Sequence, residues 1–108
     1  MDVSFKTAAL RKCCENDRTM QRKLGPDGAR KLRARLADLR AASSMAEIRR
    51  GRPHPLIGKL GGCLALDLDG GRRLVIEPAK DAPQRDDGNT DWGAVESVRI
   101  VFIGDYHD

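Results

Sequence analysis

Apolar residues recur along this chain first at a period of two, then near 3.6, then at two again, and that order predicts the architecture. Val3 and Phe5 alternate with Asp2, Ser4 and Lys6, a short strand with one buried face. Thr7 is placed to cap a helix in which Leu10, Cys13, Cys14, Met20 and Leu24 recur near helical spacing, with Asp17 interrupting the stripe. Gly25-Pro26 then ends this helix and starts a second, glycine past the end and proline just inside the start. The second helix carries Ala29, Leu32, Leu36 and Leu39 as one apolar stripe. Lys31, Arg33, Arg35 and Arg40 lie off it, facing water or a partner. The two segments predict an αα-hairpin.

Ser44-Met45-Ala46-Glu47 has the spacing of a capping box, so a short helical turn ending near Gly51 is expected. Arg52-Pro53-His54-Pro55 must be extended, because each proline disfavours helix in the residue before it. Leu56 to Leu60 reads as a further strand. Leu64, Leu66 and Leu68 alternate with Cys63, Ala65 and Asp67 as a half-buried strand, and Asp69-Gly70-Gly71 supplies a tight hairpin. Leu74 and Ile76 continue the buried face, while Arg73, Val75 and Glu77 point the other way. Residues 79–93 are polar and read as a long mobile loop. In the last strand Val98, Ile100 and Phe102 alternate with Arg99, Val101 and Ile103. The expected fold is therefore α+β, a single domain over 1–108: an N-terminal strand and a helical hairpin packed on one face of a mainly antiparallel sheet of four or five strands. The opposite face would carry Arg73 and its neighbours and, if concave, is the natural place for a site.

Composition narrows the class. No apolar run approaches the roughly 20 residues of a spanning helix, and no secretory signal is visible, so a reduced cytoplasmic chain without a membrane role is expected. Three cysteines, two of them adjacent (Cys13 and Cys14), offer neither a complete disulfide set nor a zinc spacing; Cys13 and Cys14, on the helical stripe, read as small core residues. Four aromatic residues argue against a stacking platform for single strands. The net charge of +4 conceals a division: residues 1–60 carry 15 Lys/Arg against 6 Asp/Glu, whereas residues 61–108 carry 5 against 10. A basic half of this size attracts phosphate backbones or an acidic partner; alternatively it solvates two helices.

Familiar catalytic signatures are missing: there is no nucleophile elbow, no P-loop and no dinucleotide-binding glycine motif. Asp67 and Asp69 are better explained by a hairpin shoulder than by acid–base work. The acidic stretch Asp81, Asp86, Asp87 and Asp91 lacks the glycine and terminal glutamate of a calcium loop. What remains is a dispersed set, His54, Lys59, Arg73, Tyr106 and His107. Cleavage of RNA by its own 2′-hydroxyl needs a proton acceptor, a donor for the leaving oxygen and positive charge on the phosphorane. These residue types meet those needs, but spacing alone does not bring them together.

The whole chain resembles the RelE/ParE superfamily of toxins, in its HigB-like branch of plasmid-maintenance killer proteins. The residues that carry the resemblance run nearly the full length. They are Val3-Ser4-Phe5-Lys6-Thr7, Lys23-Leu24-Gly25-Pro26, 36–44, Leu66-Asp67-Leu68-Asp69, Arg73-Leu74-Val75-Ile76-Glu77-Pro78-Ala79, Asp91-Trp92 and Asp105-Tyr106-His107. The resemblance implies the RelE-like fold and a type II toxin–antitoxin system. It implies a HigA-like helix-turn-helix antitoxin as partner, with operator DNA reached only through that antitoxin. It also implies translation inhibition by mRNA cleavage at the ribosome, without cofactor or metal, with His54, Arg73 and Tyr106 as candidates and His107 beside them. Where the branch carries Lys, Arg and Gln, this chain has Ile57, Leu60 and Cys63; Lys59 lies two positions on and, in an extended strand, would share the face of Ile57.

Three functions therefore compete: a ribosome-dependent endoribonuclease, a non-enzymatic toxin homologue that binds its antitoxin and modulates operon repression, and an inhibitor of DNA gyrase.

Overall fold

A computed structural model describes residues 1–106. It consists of β1 (Asp2–Phe5), α1 (Ala8–Glu15), α2 (Asp17–Ala41), β2 (His54–Pro55), β3 (Leu64–Asp67), β4 (Arg73–Pro78) and β5 (Ser97–Gly104), with short 3-10 turns at Met45–Glu47, Gly58–Leu60 and Trp92–Ala94. The strands form one sheet in the order β1-β5-β4-β3-β2, antiparallel except that β1 runs parallel to β5.

The helical part departs from the expected hairpin in one respect. Asn16 is extended, and it ends α1 through its backbone N–H on the Lys12 carbonyl while its Oδ1 accepts from Thr19 N–H at 2.9 Å to start α2. The expected first helix is thus two, and the Asp17 interruption of the apolar stripe marks the break. The expected reversal at Gly25 is present: its φ of +72° is non-helical and open to glycine without the Cβ penalty. Arg33 Nη1 lies 2.5 Å from Asp17 Oδ1. On an unbroken helix those residues would be about 24 Å apart, so the arms of α2 on either side of Gly25 fold back on each other.

The hairpin packs on one face of the sheet. Met20, Leu24, Leu32, Leu36 and Leu39 meet Leu64, Leu66, Leu74, Ile76, Val98 and Ile100 in the main core, as their periods require. The far face also has an apolar patch: Cys63, Ala65 and Val75 are buried there under Leu56, Leu60, Val101, Phe102 and Tyr106. β3 is therefore buried on both sides rather than half-buried.

Three expectations change. Pairing sets Val75 opposite Phe102 but Ile76 opposite Ile100, so Val101 is an additional residue in β5. A one-residue bulge moves later side chains to the other face. Ile103 accordingly joins the main core, and Phe102, expected beside Val98 and Ile100, faces away from the helices. Leu56 to Leu60 is not a strand: Gly58, at φ +75°, turns the chain into a 3-10 turn, and Lys59 does not take the extended position beside Ile57. The 79–93 segment is a hydrogen-bonded hairpin rather than a structureless loop. Gln84 pairs with Thr90, Arg85 N–H reaches the Asn89 carbonyl at 2.8 Å, and Asp91 N–H reaches that of Pro83 at 2.8 Å.

The β3–β4 hairpin is fastened to the helices. Arg72 Nε and Nη2 grip the Asp69 carboxylate at 3.0 and 2.5 Å, and Nη2 also donates to the Leu24 carbonyl at 2.6 Å, where the first arm of α2 ends. Asp69 thus serves the hairpin shoulder, as expected.

Candidate functional site

The face turned away from the helices is built by the end of β5, the β3–β4 pair and the 51–63 segment. Gly51 and Arg52 both have positive φ, +84° and +49°. For Arg52 that conformation costs about 1–3 kcal/mol, and it runs against the extended geometry a following proline favours. The left-handed turn sets Arg52 over the C-terminal end of β3. There Arg52 Nε donates to Asp67 Oδ2 at 2.9 Å, and Nη2 lies 3.4 Å from Oδ1. From below, Arg73 Nε stands 2.8 Å from Asp67 Oδ1, an ion contact without the alignment of a hydrogen bond. Arg73 Nη1 donates to the carbonyls of Arg72 at 2.9 Å and Gly70 at 3.3 Å. Its side chain is only 15% exposed, against 67% for Arg52.

The Asp67 backbone is held as well. Its N–H donates to the Gly51 carbonyl at 2.6 Å, and its carbonyl accepts from Arg35 Nε of α2 at 3.0 Å. Arg35 therefore supports the site instead of facing water, and Arg33 is likewise engaged by Asp17. Burial works to raise the Asp67 carboxyl. The hydrogen bond from Arg52 and the charges of Arg73, Arg52 and His54 outweigh it and hold the group below its ordinary value.

His54 enters through β2, opposite Ala65 of β3. Its Nδ1 donates to the Arg52 carbonyl at 2.8 Å. A neutral ring so bonded carries its lone pair on Nε2, the form a proton acceptor needs. Tyr106 follows β5 and packs edge-on against Phe102, with ring centroids 6.3 Å apart. It also lies within electrostatic reach of Arg52, whose guanidinium is held above its ordinary value first by the Asp67 hydrogen bond and charge, and further by Tyr106.

Of the expected site residues, the structure gathers His54, Arg73 and Tyr106 around the Arg52–Asp67 pair. Lys59 lies on its 3-10 turn and, together with Tyr106, Leu56, Ile57, Leu60 and Phe102, lines an apolar cavity of about 410 Å³. His107 lies outside the described residues. Arg52 is the residue that sequence reasoning missed: the Arg-Pro-His-Pro stretch announced extended backbone, but nothing in it announced a left-handed Arg52. Asp67, read as a hairpin shoulder, is instead the anion between two guanidiniums. Ile57, Leu60 and Cys63 divide by environment: Ile57 is 92% exposed, Leu60 is half-buried and Cys63 is core. Among the described residues no group of three or more His, Cys, Asp or Glu side chains is placed to hold a metal ion.

No family model and no curated protein matches the chain. A solved structure does: a chain of the YoeB-YefM complex from Staphylococcus aureus, at 16% identity, aligned over 100% of this chain and 98% of that one with a TM-score of 0.56. The two chains share a fold. At this identity the likeness extends to the arrangement of helices and strands, so the chemistry of the far face must be read from the residues themselves. The YoeB-YefM match agrees with the α+β architecture of two packed helical segments on a five-stranded, mostly antiparallel sheet.

Proposed function

We propose that this chain is the toxin of a type II toxin–antitoxin system and that it cleaves mRNA on the ribosome, in the cytoplasm. The first part is supported by the resemblance carried by the sequence and by a fold shared with a chain of the YoeB-YefM complex. The second part rests on one observation: a histidine whose Nδ1 is bonded to the Arg52 carbonyl, two guanidiniums and a phenol lie on one face of the sheet. In the proposed reaction His54 Nε2 takes the proton of the 2′-hydroxyl, and that oxygen attacks the adjacent phosphorus. Arg52 and Arg73 meet the charge of the phosphorane. The bond to the 5′-oxygen breaks, and Tyr106 or His107 protonates it, leaving a cyclic phosphate and a free 5′-hydroxyl. Asp67 fixes the direction of both guanidiniums. Lys59 adds positive charge at the rim.

The expected antitoxin is HigA-like and carries the complex to operator DNA. Expression without antitoxin should arrest growth and create new mRNA 5′ ends detectable by primer extension. Arg73→Ala and Tyr106→Phe should each reduce cleavage by about a hundredfold or more. Full toxicity in both variants would refute the assignment of the site.

One observation favours a second reading, a non-enzymatic homologue that acts by binding its antitoxin. Arg73 is already engaged by Asp67 and two carbonyls, and Ile57, Leu60 and Cys63 bring no charge to the face. A tight antitoxin complex with intact mRNA at every expression level would decide for it. DNA damage with intact mRNA would point instead to gyrase.

A further inference from the structure

Asp67 does more than direct the two guanidiniums of this face; it occupies them. A guanidinium holds a phosphate at two points along either of two edges, Nε with Nη2 or Nη1 with Nη2. On Arg52 the first edge is taken, Nε by Asp67 Oδ2 at 2.9 Å and Nη2 by Oδ1 at 3.4 Å. On Arg73 both edges are interrupted: Nε stands 2.8 Å from Asp67 Oδ1, and Nη1 donates to the carbonyls of Arg72 and Gly70. Arg73 can therefore offer its Nε–Nη2 edge to a phosphate only after Asp67 leaves Nε. We infer that Asp67 is an internal competitor for the anion this site receives, so that the free chain is self-inhibited and its substrate must displace the carboxylate; this rests on the reading of the face as a ribonuclease site.

Three features suit Asp67 to that part. Arg73 Nε is buried without an aligned acceptor, so its contact with Asp67 leaves an N–H that a better-placed anion would satisfy. The Asp67 side chain is 28% exposed, and the carboxylate can turn toward water as the anion takes its place. Its backbone stays behind, the N–H on the Gly51 carbonyl at 2.6 Å and the carbonyl on Arg35 Nε at 3.0 Å. Those bonds hold Asp67 beside the turn that carries Arg52, so the competitor is tethered and returns when the anion leaves. Charge sets the size of the effect. Two guanidiniums and one carboxylate leave a single net positive charge at the cluster, and neutralising the carboxylate leaves two.

The test titrates inorganic phosphate into the full chain at constant ionic strength, followed by NMR shifts. Asp67→Asn should bind phosphate about tenfold more tightly, because a negative charge within a few ångströms of the bound anion is gone. Stability falls in the same variant, so affinity and stability move in opposite directions. A carboxylate that only positions the arginines predicts weaker binding instead, since loosened guanidiniums hold an anion less well. Arg52→Gln changes an exposed side chain, keeps the fold and should weaken phosphate binding about tenfold. Combined with Asp67→Asn it restores the single net charge, and affinity should return to within about threefold of the native chain. Equal or weaker binding by Asp67→Asn, or unchanged binding by Arg52→Gln, would overturn the competitor. Cleavage is read separately. Tighter phosphate binding by Asp67→Asn, with no new mRNA ends from the native chain, removes the ribonuclease reading and leaves the competitor. New mRNA ends without a gain in phosphate affinity do the reverse.

Discussion

Replacing Asp67 by asparagine keeps the size of the side chain and removes the charge on which two arginines converge. Arg52 is 67% exposed, so its share of the pair is screened by solvent and adds little. Arg73 is 15% exposed, and without Asp67 its guanidinium stays partly buried beside a neutral amide. Removing one partner of a fully buried ion pair costs about 3–5 kcal/mol and an exposed pair is worth at most about 1; the 15% and 28% exposures of Arg73 and Asp67 place this contact between the two, at about 1–2 kcal/mol. The combined loss should be about 2 kcal/mol, a fall of about 10 °C in Tm for a domain of this size. Urea denaturation followed by circular dichroism measures it. The pH dependence supplies a second check. Asp67 ionises more readily folded than unfolded. Its contribution is thus complete above the unfolded carboxylate value of about 3.9 and is lost as pH falls through the lower folded value. The gap between native and variant chains should be full at neutral pH and close at strongly acid pH. A variant as stable as the native chain at neutral pH, or a gap that persists in acid, would refute the account of Asp67 as the anion of this cluster.

Other consequences can be measured in the same assays. Gly28→Ala should destabilise by roughly 1–3 kcal/mol, although alanine ordinarily favours a helix, because the new Cβ would lie 2.7 Å from Arg72 Nη2 and 2.8 Å from Leu24 Cβ. An Arg72→Ala background should recover part of that loss; strictly additive effects would contradict the contact. Gly51→Ala should cost more than Gly58→Ala in urea titrations. Both residues are left-handed, but only at Gly51 would the Cβ meet a neighbour, Arg35 Nε at 2.7 Å. Cys14, pushed up to about 12 by burial and then by neighbouring Cys13, and Cys13 and Cys63, both raised by burial, should alkylate near pH 8 only as fast as the protein unfolds. Labelling of any of the three within seconds in the native state would place that thiol at the surface.

Much of the architecture was legible along the chain. Apolar spacing alone located the first strand, the leucine stripe of α2 and the alternating strands around Asp69-Gly70-Gly71, because burying one face of an element imposes its period on the residues. Gly25-Pro26 announced the helical reversal through local backbone chemistry, and Ser44 announced its cap in the same way. The site was legible only as residue types. A histidine, an arginine and a tyrosine suited to phosphate chemistry could be singled out, but their distances depend on which strands become neighbours.

Tertiary structure decided the rest. The bulge at Val101 reverses Phe102 because β5 must pair with β4 while keeping Ile103 in the main core, a condition absent from β5 alone. The left-handed Arg52 is held by a carboxylate on another strand and by Gly51 packing under Arg35, so no local propensity records it. Lys59 leaves its expected face because Gly58 turns instead of extending. Period and turn chemistry act within a few residues and can be read in order. An ion pair between strands becomes visible only after the sheet has brought its members together.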